Sequence, residues 1–264
     1  RDLWSKGVPI ILTSGTLSAN GSFEHIKRTT GVGLIPPRRL LETSKPSPFN
    51  HAENSLIYIS ESVPFPDSKN MDYLLAVADE TERLIQASHG HGAVLFTSYK
   101  AMDMVFEILS KRGLGFPLFR LDRGGGNTIE KFKRSKNGVL FASGAMWEGI
   151  DIPGDILSML IIVRLPFAVP DPISEYEKTL YKGLSDYIDY VVIPEMLIKL
   201  KQGHGRLLRT EYDSGVVAFL DYRLRLDGAY RDHGLSALPR CRVVSTIAEV
   251  TGFLREKKAA EFFA

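Results

Sequence analysis

The stretch "QGHGRLLRTEYDSGVVAFLDYR", residues 202–223, carries both a fold signal and a chemical one. Its second half, "GVVAFLDYR" (215–223), is apolar without alternation. A strand that reads this way is buried on both faces, which is the signature of a parallel sheet covered by helices on either side. Its first half sets Arg206 and Arg209 three positions apart behind Gln202, Gly203 and Gly205. If the segment is helical, i and i+3 are neighbours and the two guanidiniums share one face. Two planar forks aimed the same way suit a phosphate; a solvated basic helix face is the bland alternative. Asp213 and Gly215 read as turn chemistry, and Asp221 with Arg223 as a salt bridge at the strand end.

The same buried pattern recurs along the chain, in "VPIILTS" (8–14), "SLIYIS" (55–60), "AVLFTS" (93–98), "FPLFRL" (116–121), "GVLFAS" (138–143), "LSMLIIVRL" (157–165) and "CRVVST" (241–246). Helical patterns separate these runs: "MDYLLAVADETERLIQAS" (71–88), "KAMDMVFEILSKRG" (100–113), which ends in basic residues and a glycine, and 191–209. Alternating strands and helices give βαβ units, hence an open, mostly parallel α/β sheet with helices on both faces. The Pro-rich, charged segment 36–50 reads as a linker. It leaves the first strand isolated: 1–48 is expected to be the last strand of one domain plus a linker, and 49–264 a second domain.

Bulk composition narrows the function classes. The chain has 264 residues and a formal net charge of +2, so it is neither a basic nor an acidic protein overall; a local stripe can still bind phosphate. One cysteine, Cys241, supports neither a disulfide framework nor a zinc or iron–sulfur site from this chain alone, and a reducing, cytoplasmic setting is the default. No apolar run reaches membrane-spanning length, the N-terminal residues have no signal-peptide shape, and the lack of an initiator methionine points to a piece of a longer protein.

Ligands of open α/β sheets lie beyond the carboxyl ends of the strands. Two loops there stand out. "GVLFASGAMWEGIDIPGD" (138–155) combines Gly144, Gly149 and Gly154 with the carboxylates Glu148 and Asp151 and with Trp147; a tight connection around a structural tryptophan is the bland reading. "AVLFTSYKAM" (93–102) offers the hydroxyls of Thr97 and Ser98, then Tyr99 and Lys100. Ser98 can cap the next helix, and a helix N-terminus also binds phosphate. "LTSGTL" (12–17) alone is a Ser/Gly/Thr turn. Other tracts carry no chemistry: "RGGGN" (123–127) lacks the Lys-Ser/Thr of a P-loop, "ADET" (78–81) is mid-helix, "HGHG" (89–92) reads as a turn, and Cys241 has no base beside it.

Taken in order, "LTSGTL", "AVLFTSYKAM", "SGAMWEGIDIPGD", "RLPF" (164–167), "QGHGRLLR" and "DSGVVAFLDYR" resemble the second half of a superfamily 2 DNA helicase of the DinG/XPD branch over nearly the whole chain. Gln202-x-x-Gly205-Arg206-x-x-Arg209 matches helicase motif VI. "WEGID" with "PGD" matches motif V, "TSGTL" corresponds to motif III with Gly15 where alanine is usual, and "RLPF" is similar to "KLPF" with arginine for lysine. The resemblance implies a RecA-like second motor domain. ATP then lies between two such domains, and Arg206 and Arg209 are its arginine fingers. Gln202 senses the phosphate or the attacking water, while Gly149, Asp151, Glu148 and Gly205 belong to nucleotide binding and coupling, with Ser14 and Thr16. Thr97, Ser98 and Lys100 touch the backbone of single-stranded DNA. The resemblance further implies Mg²⁺ held by the first motor domain of the same polypeptide, a monomer, a place in DNA repair, and any iron–sulfur cluster outside this segment. Neither G-x-x-x-x-G-K-[ST] nor a strand ending in Asp-Glu-x-His occurs here, so the segment is expected to be inactive as an ATPase alone. A stand-alone nucleic-acid-binding or regulatory module without catalysis is the alternative.

Overall fold

The computed structural model describes residues 4, 6–19, 21–121, 126–144, 152 and 154–264. Trp147, Glu148, Gly149 and Asp151, and residues 123–125 of the glycine tract, lie outside them.

Seven strands form one sheet in which every pairing is parallel. In chain order they are β1 (Ser55–Ile59), β2 (Gly92–Phe96), β3 (Leu118–Arg120), β4 (Val139–Ser143), β5 (Met159–Ile162), β6 (Gly215–Phe219) and β7 (Arg242–Val244). Their spatial order is β3-β4-β2-β5-β6-β1-β7. The five inner strands are buried at every position, whereas the edges β3 and β7 are partly exposed. That contrast accounts for the unbroken apolar runs of the inner strands.

Successive side chains of each inner strand go to opposite faces. One face packs Leu56, Tyr58, Val94, Phe96, Ile161 and Val216 against α2 (Met71–Ala87), α3 (Tyr99–Arg112) and α8 (Ile247–Lys257). The other packs Ile57, Ile59, Leu95, Leu160, Val217 and Phe219 against α4 (Gly126–Arg134), α6 (Ile193–His204) and α7 (Arg231–Ala237). Two shorter helices, α1 (Glu24–Thr30) and α5 (Pro172–Lys178), lie outside this sandwich. Local signals set the helix ends. Asn70 caps α2 by accepting the Asp72 N–H, Ser98 caps α3 by accepting the Ala101 N–H, and Gly113 closes α3 at φ 69° after Lys111 and Arg112.

The run "VPIILTS" departs from expectation. It forms no strand, and Val8 and Ile11 are 63% and 89% exposed. Its apolar pattern is that of a strand, but among the described residues no neighbouring strand offers it a ladder, and an extended segment without one cannot satisfy its backbone as β-structure.

Candidate functional site: an arginine loop at the amino edge of the sheet

α6 crosses from the carboxyl end of β5 to the amino end of β6, so its C-terminus and the loop after it sit at the amino edge of the sheet. Gln202, Arg206 and Arg209 are there, opposite the carboxyl edge to which the strand-end rule directs attention. The single-face helix reading of Arg206 and Arg209 is corrected by the structure. α6 ends at His204, and the chain continues in tight turns, Arg206 N–H to Gly203 O (3.0 Å) and Leu207 N–H to His204 O (3.0 Å). Leu207 and Leu208, both buried in the core, anchor these turns. The Arg209 and Thr210 N–H groups, which a continuing helix would direct to carbonyls four positions back, are taken instead by the Asp213 carboxylate. Arg206 and Arg209 are left half-buried on either side of this apolar anchor.

Two features fix the loop. Asp213 Oδ2 accepts the N–H groups of Arg209 and Thr210, both at 2.7 Å, which is the turn role read from the sequence. Gly215 lets the loop lie close on the sheet: a Cβ there would sit 2.6 Å from Ser158 O and 2.7 Å from Leu207 Cδ1. Asp221, fully buried, is committed elsewhere. It accepts from Leu165 N–H at 2.7 Å and from the Arg223 guanidinium at 2.9 and 2.6 Å, so the expected salt bridge is present.

The N-terminal segment reaches this edge as well. Gln202 Nε2 donates to Thr16 Oγ1 at 3.3 Å across 186 positions of sequence, and the Thr16 N–H donates to Ser14 Oγ at 3.2 Å. Gln202 Oε1 is buried with no hydrogen-bond partner among the described residues. An acceptor of that kind is available to a water or a ligand. Gly205 caps α6 at the same place.

A histidine pair that sequence reasoning passed over underlies the loop. His204 is buried, 1% exposed, and its ring lies 5.4 Å from that of His51, which sits in the helical turn ahead of β1. Burial, with His51 beside it, pushes the His204 pKa down to about 3, and burial lowers that of His51 too. Ser47 and Ser55 bond the two His51 nitrogens at 3.0 and 3.2 Å.

Thr97, Ser98 and Lys100 follow β2 and so lie at the opposite, carboxyl edge. Ser98 is occupied as the α3 cap, 3.4 Å from the Ala101 N–H, Thr97 is half-buried and Lys100 is exposed. Gly144, at the end of β4, has φ 70° and packs against Tyr99, whose hydroxyl would be 3.1 Å from an added Cβ. Gly154 also takes a positive φ, 76°. The described site residues thus divide between two edges of one sheet. No group of three or more His, Cys, Asp or Glu residues arranged to hold a metal occurs among the described residues, and no described helix is long and apolar enough to cross a membrane.

The seven-stranded parallel sheet sandwiched between helices is a RecA-like helicase fold. Residues 81–240 match the helicase C-terminal domain family. The chain belongs to that family, on its DinG/XPD-like branch. It is 33% identical over 258 residues to the ATP-dependent DNA helicase YoaA of Haemophilus influenzae, a match covering 97% of this chain and 39% of that protein. It is 30% identical over 256 residues to the ATP-dependent helicase DinG of Mycobacterium tuberculosis, covering 95% of this chain and 38% of that one. This chain therefore spans less than two fifths of the length of these relatives. Among solved structures, an apo XPD superposes with a TM-score of 0.56 at 20% identity, over 74% of this chain and 40% of that one. Yeast Dbp5 bound to RNA and ADP BeF3 gives 0.53 at 14% identity, over 92% and 54%. At those identities the structures speak for the fold.

Proposed function

We propose that this chain is the second motor domain of an ATP-dependent DNA helicase, and that its arginine loop completes a nucleotide site whose other half lies on a first motor domain of the same polypeptide. The observation that carries this reading is the hydrogen bond between Gln202 and Thr16. It joins the candidate phosphate-sensing residue to the candidate coupling segment at the edge where Arg206 and Arg209 sit.

In this reading ATP is the substrate and Mg²⁺ is held by the first domain. Arg206 and Arg209 place two fixed positive charges against the phosphoryl group as charge develops on it. Stabilisation of this kind, supplied from a second domain, is worth about 10³–10⁵ in rate. Gln202, held by Thr16 through its amide nitrogen, keeps Oε1 for the attacking water. Ser14 and Thr16 report the state of the site to the first domain, with Gly149, Asp151, Glu148 and Gly205 as the coupling and nucleotide-binding residues of this one. Thr97, Ser98 and Lys100 contact the backbone of single-stranded DNA at the other edge, where the positive end of the α3 helix dipole favours phosphate. ATP-driven closure and release then move the two edges against the strand. The motor works as a monomer in the cytoplasm, in DNA repair, and its iron–sulfur cluster, where there is one, lies outside this segment. The segment alone turns over no ATP.

The test is Arg206→Ala and Arg209→Ala in the intact helicase. Each is expected to lower DNA-stimulated hydrolysis by at least 10³-fold while nucleotide binding, titrated in parallel, stays near wild type. Hydrolysis within a fewfold of wild type in either variant assigns that arginine to structure and removes it from the reading.

A further inference from the structure

Lys258 lies just beyond α8, away from the loop that carries Arg206 and Arg209, yet it touches the chain that follows that loop. Its Nζ is 2.6 Å from Asp155 Oδ1 and 2.6 Å from Ser214 O. Its side chain is only 3% exposed. Asp155 is four positions after Asp151, and Ser214 follows Asp213, whose carboxylate holds the Arg209 N–H. The rest of the C-terminal segment is fastened around this contact. Phe262 stacks on His91 with centroids 3.9 Å apart at 17°, the His91 ring donates from Nε2 to Phe262 O at 3.1 Å, and Lys258 Nζ stands 5.5 Å from the Phe262 ring centroid. The His91 carbonyl accepts the N–H groups of Ser158 and Met159 at 2.9 and 3.0 Å. The segment is thus pinned to the amino ends of β2 and β5 before it reaches across to the loop leading into β6.

A lysine brought almost wholly out of water is expensive unless its charge is compensated. A carboxylate and a carbonyl, contributed by chain stretches 59 positions apart (155 to 214), supply that compensation. An apolar residue could fill the same space; what the ammonium adds is a fixed distance between the two stretches. We propose that Lys258 is a positioning residue for the motor reaction: it clasps the turn at Asp155 to the chain that follows Arg206 and Arg209, so that the two arginines are held in place when the domains close. This rests on the helicase reading above. Catalytic groups need placement to within a fraction of an ångström, and that placement comes from the contacts behind them. The clasp reaches Arg209 through one residue, since Ser214 O and the Asp213 carboxylate are on neighbouring positions.

The test has two arms. In this chain, Lys258→Met is expected to raise hydrogen exchange of the Arg209 and Thr210 amides at least about tenfold relative to the amides of β2 and β4, and Lys258→Arg is expected to restore protection. In the intact helicase, Lys258→Met is expected to lower kcat for DNA-stimulated ATP hydrolysis at least about tenfold with KM for ATP within twofold. Lys258→Arg should recover most of it, and Asp155→Asn should reproduce part of the loss without adding to Lys258→Met. A folded Lys258→Met enzyme with kcat within twofold of wild type overturns the proposal. So does uniform loss of protection over the whole sheet, which marks Lys258 as a general stabiliser. A wild-type enzyme without ATPase activity brings down the helicase reading itself, and the exchange arm then still reports whether the clasp orders the arginine loop.

Discussion

Acidification provides a direct probe of the amino edge through His204. The ring is fully buried and its pKa is lowered from 6.5 to about 3 by desolvation, with the neighbouring His51 in second place. The folded state therefore keeps this imidazole neutral throughout the range in which the unfolded chain protonates it. Above about pH 6.5 both states are neutral and His204 contributes no pH dependence. Below it the unfolded state binds the extra proton, and stability falls as pH falls, at about 1.4 kcal/mol per pH unit, until the folded pKa near 3 is reached. At about pH 5, some 1.5 units below the reference value, the loss due to His204 is about 2 kcal/mol. The lowered pKa values of His51 and His91 add in the same direction. The assay is urea unfolding of the chain at about pH 7.5 and about pH 5, run beside His204→Leu. Every other group titrates in both proteins, so the difference between their two pH-induced losses isolates His204. The wild type is expected to lose about 2 kcal/mol more than the variant. Parallel losses would show that the buried-neutral assignment is wrong.

Two substitutions examine the supports of the loop. Gly215→Ala puts a Cβ 2.6 Å from Ser158 O and 2.7 Å from Leu207 Cδ1; the strain is expected to cost about 1–3 kcal/mol in denaturant unfolding, and unchanged stability would mean that the loop does not lie where Leu207 puts it. Asp221→Ala strips a fully buried carboxylate from Arg223 and from the Leu165 N–H; a loss of about 3–5 kcal/mol is expected, since the guanidinium is then left without its partner, and a loss under about 1 kcal/mol would contradict the network.

The inner sheet was legible in the sequence because β1, β2, β4, β5 and β6 are buried at every position, and two-sided burial leaves an unbroken apolar run. "VPIILTS" carries the same run and forms no strand, because apolarity reports what a segment can bury and says nothing of whether a partner strand is beside it. In "QGHGRLLR" the residue types were readable and the backbone was not. The i, i+3 spacing fits a helix, but the Arg209 and Thr210 N–H groups are taken by Asp213 and the helix ends before them. The turn role of Asp213 and the Asp221–Arg223 bridge were legible because their partners are two to four positions away. The Lys258 clasp and the Gln202–Thr16 bond were not, since they join residues 44 to 186 positions apart with no local pattern.

The division of candidate residues between two edges follows from the topology. In a parallel sheet each strand delivers its successor residues to the carboxyl edge, and each crossover helix returns the chain to the amino edge. A loop after a strand, such as 97–100, and a loop after a helix, such as 205–214, therefore face opposite ways by construction. What lies between them is β2, β5 and β6, with every residue buried and neighbouring strands bonded in fixed register. Close-packed strands of this kind transmit displacement as a rigid body. For the proposed motor, a push on the arginine loop at the nucleotide edge is then a push on the DNA edge. Movement in the proposed motor is then expected outside the sheet, and Thr16, bonded to Gln202 across 186 positions, is where the segment ahead of β1 meets the arginine edge.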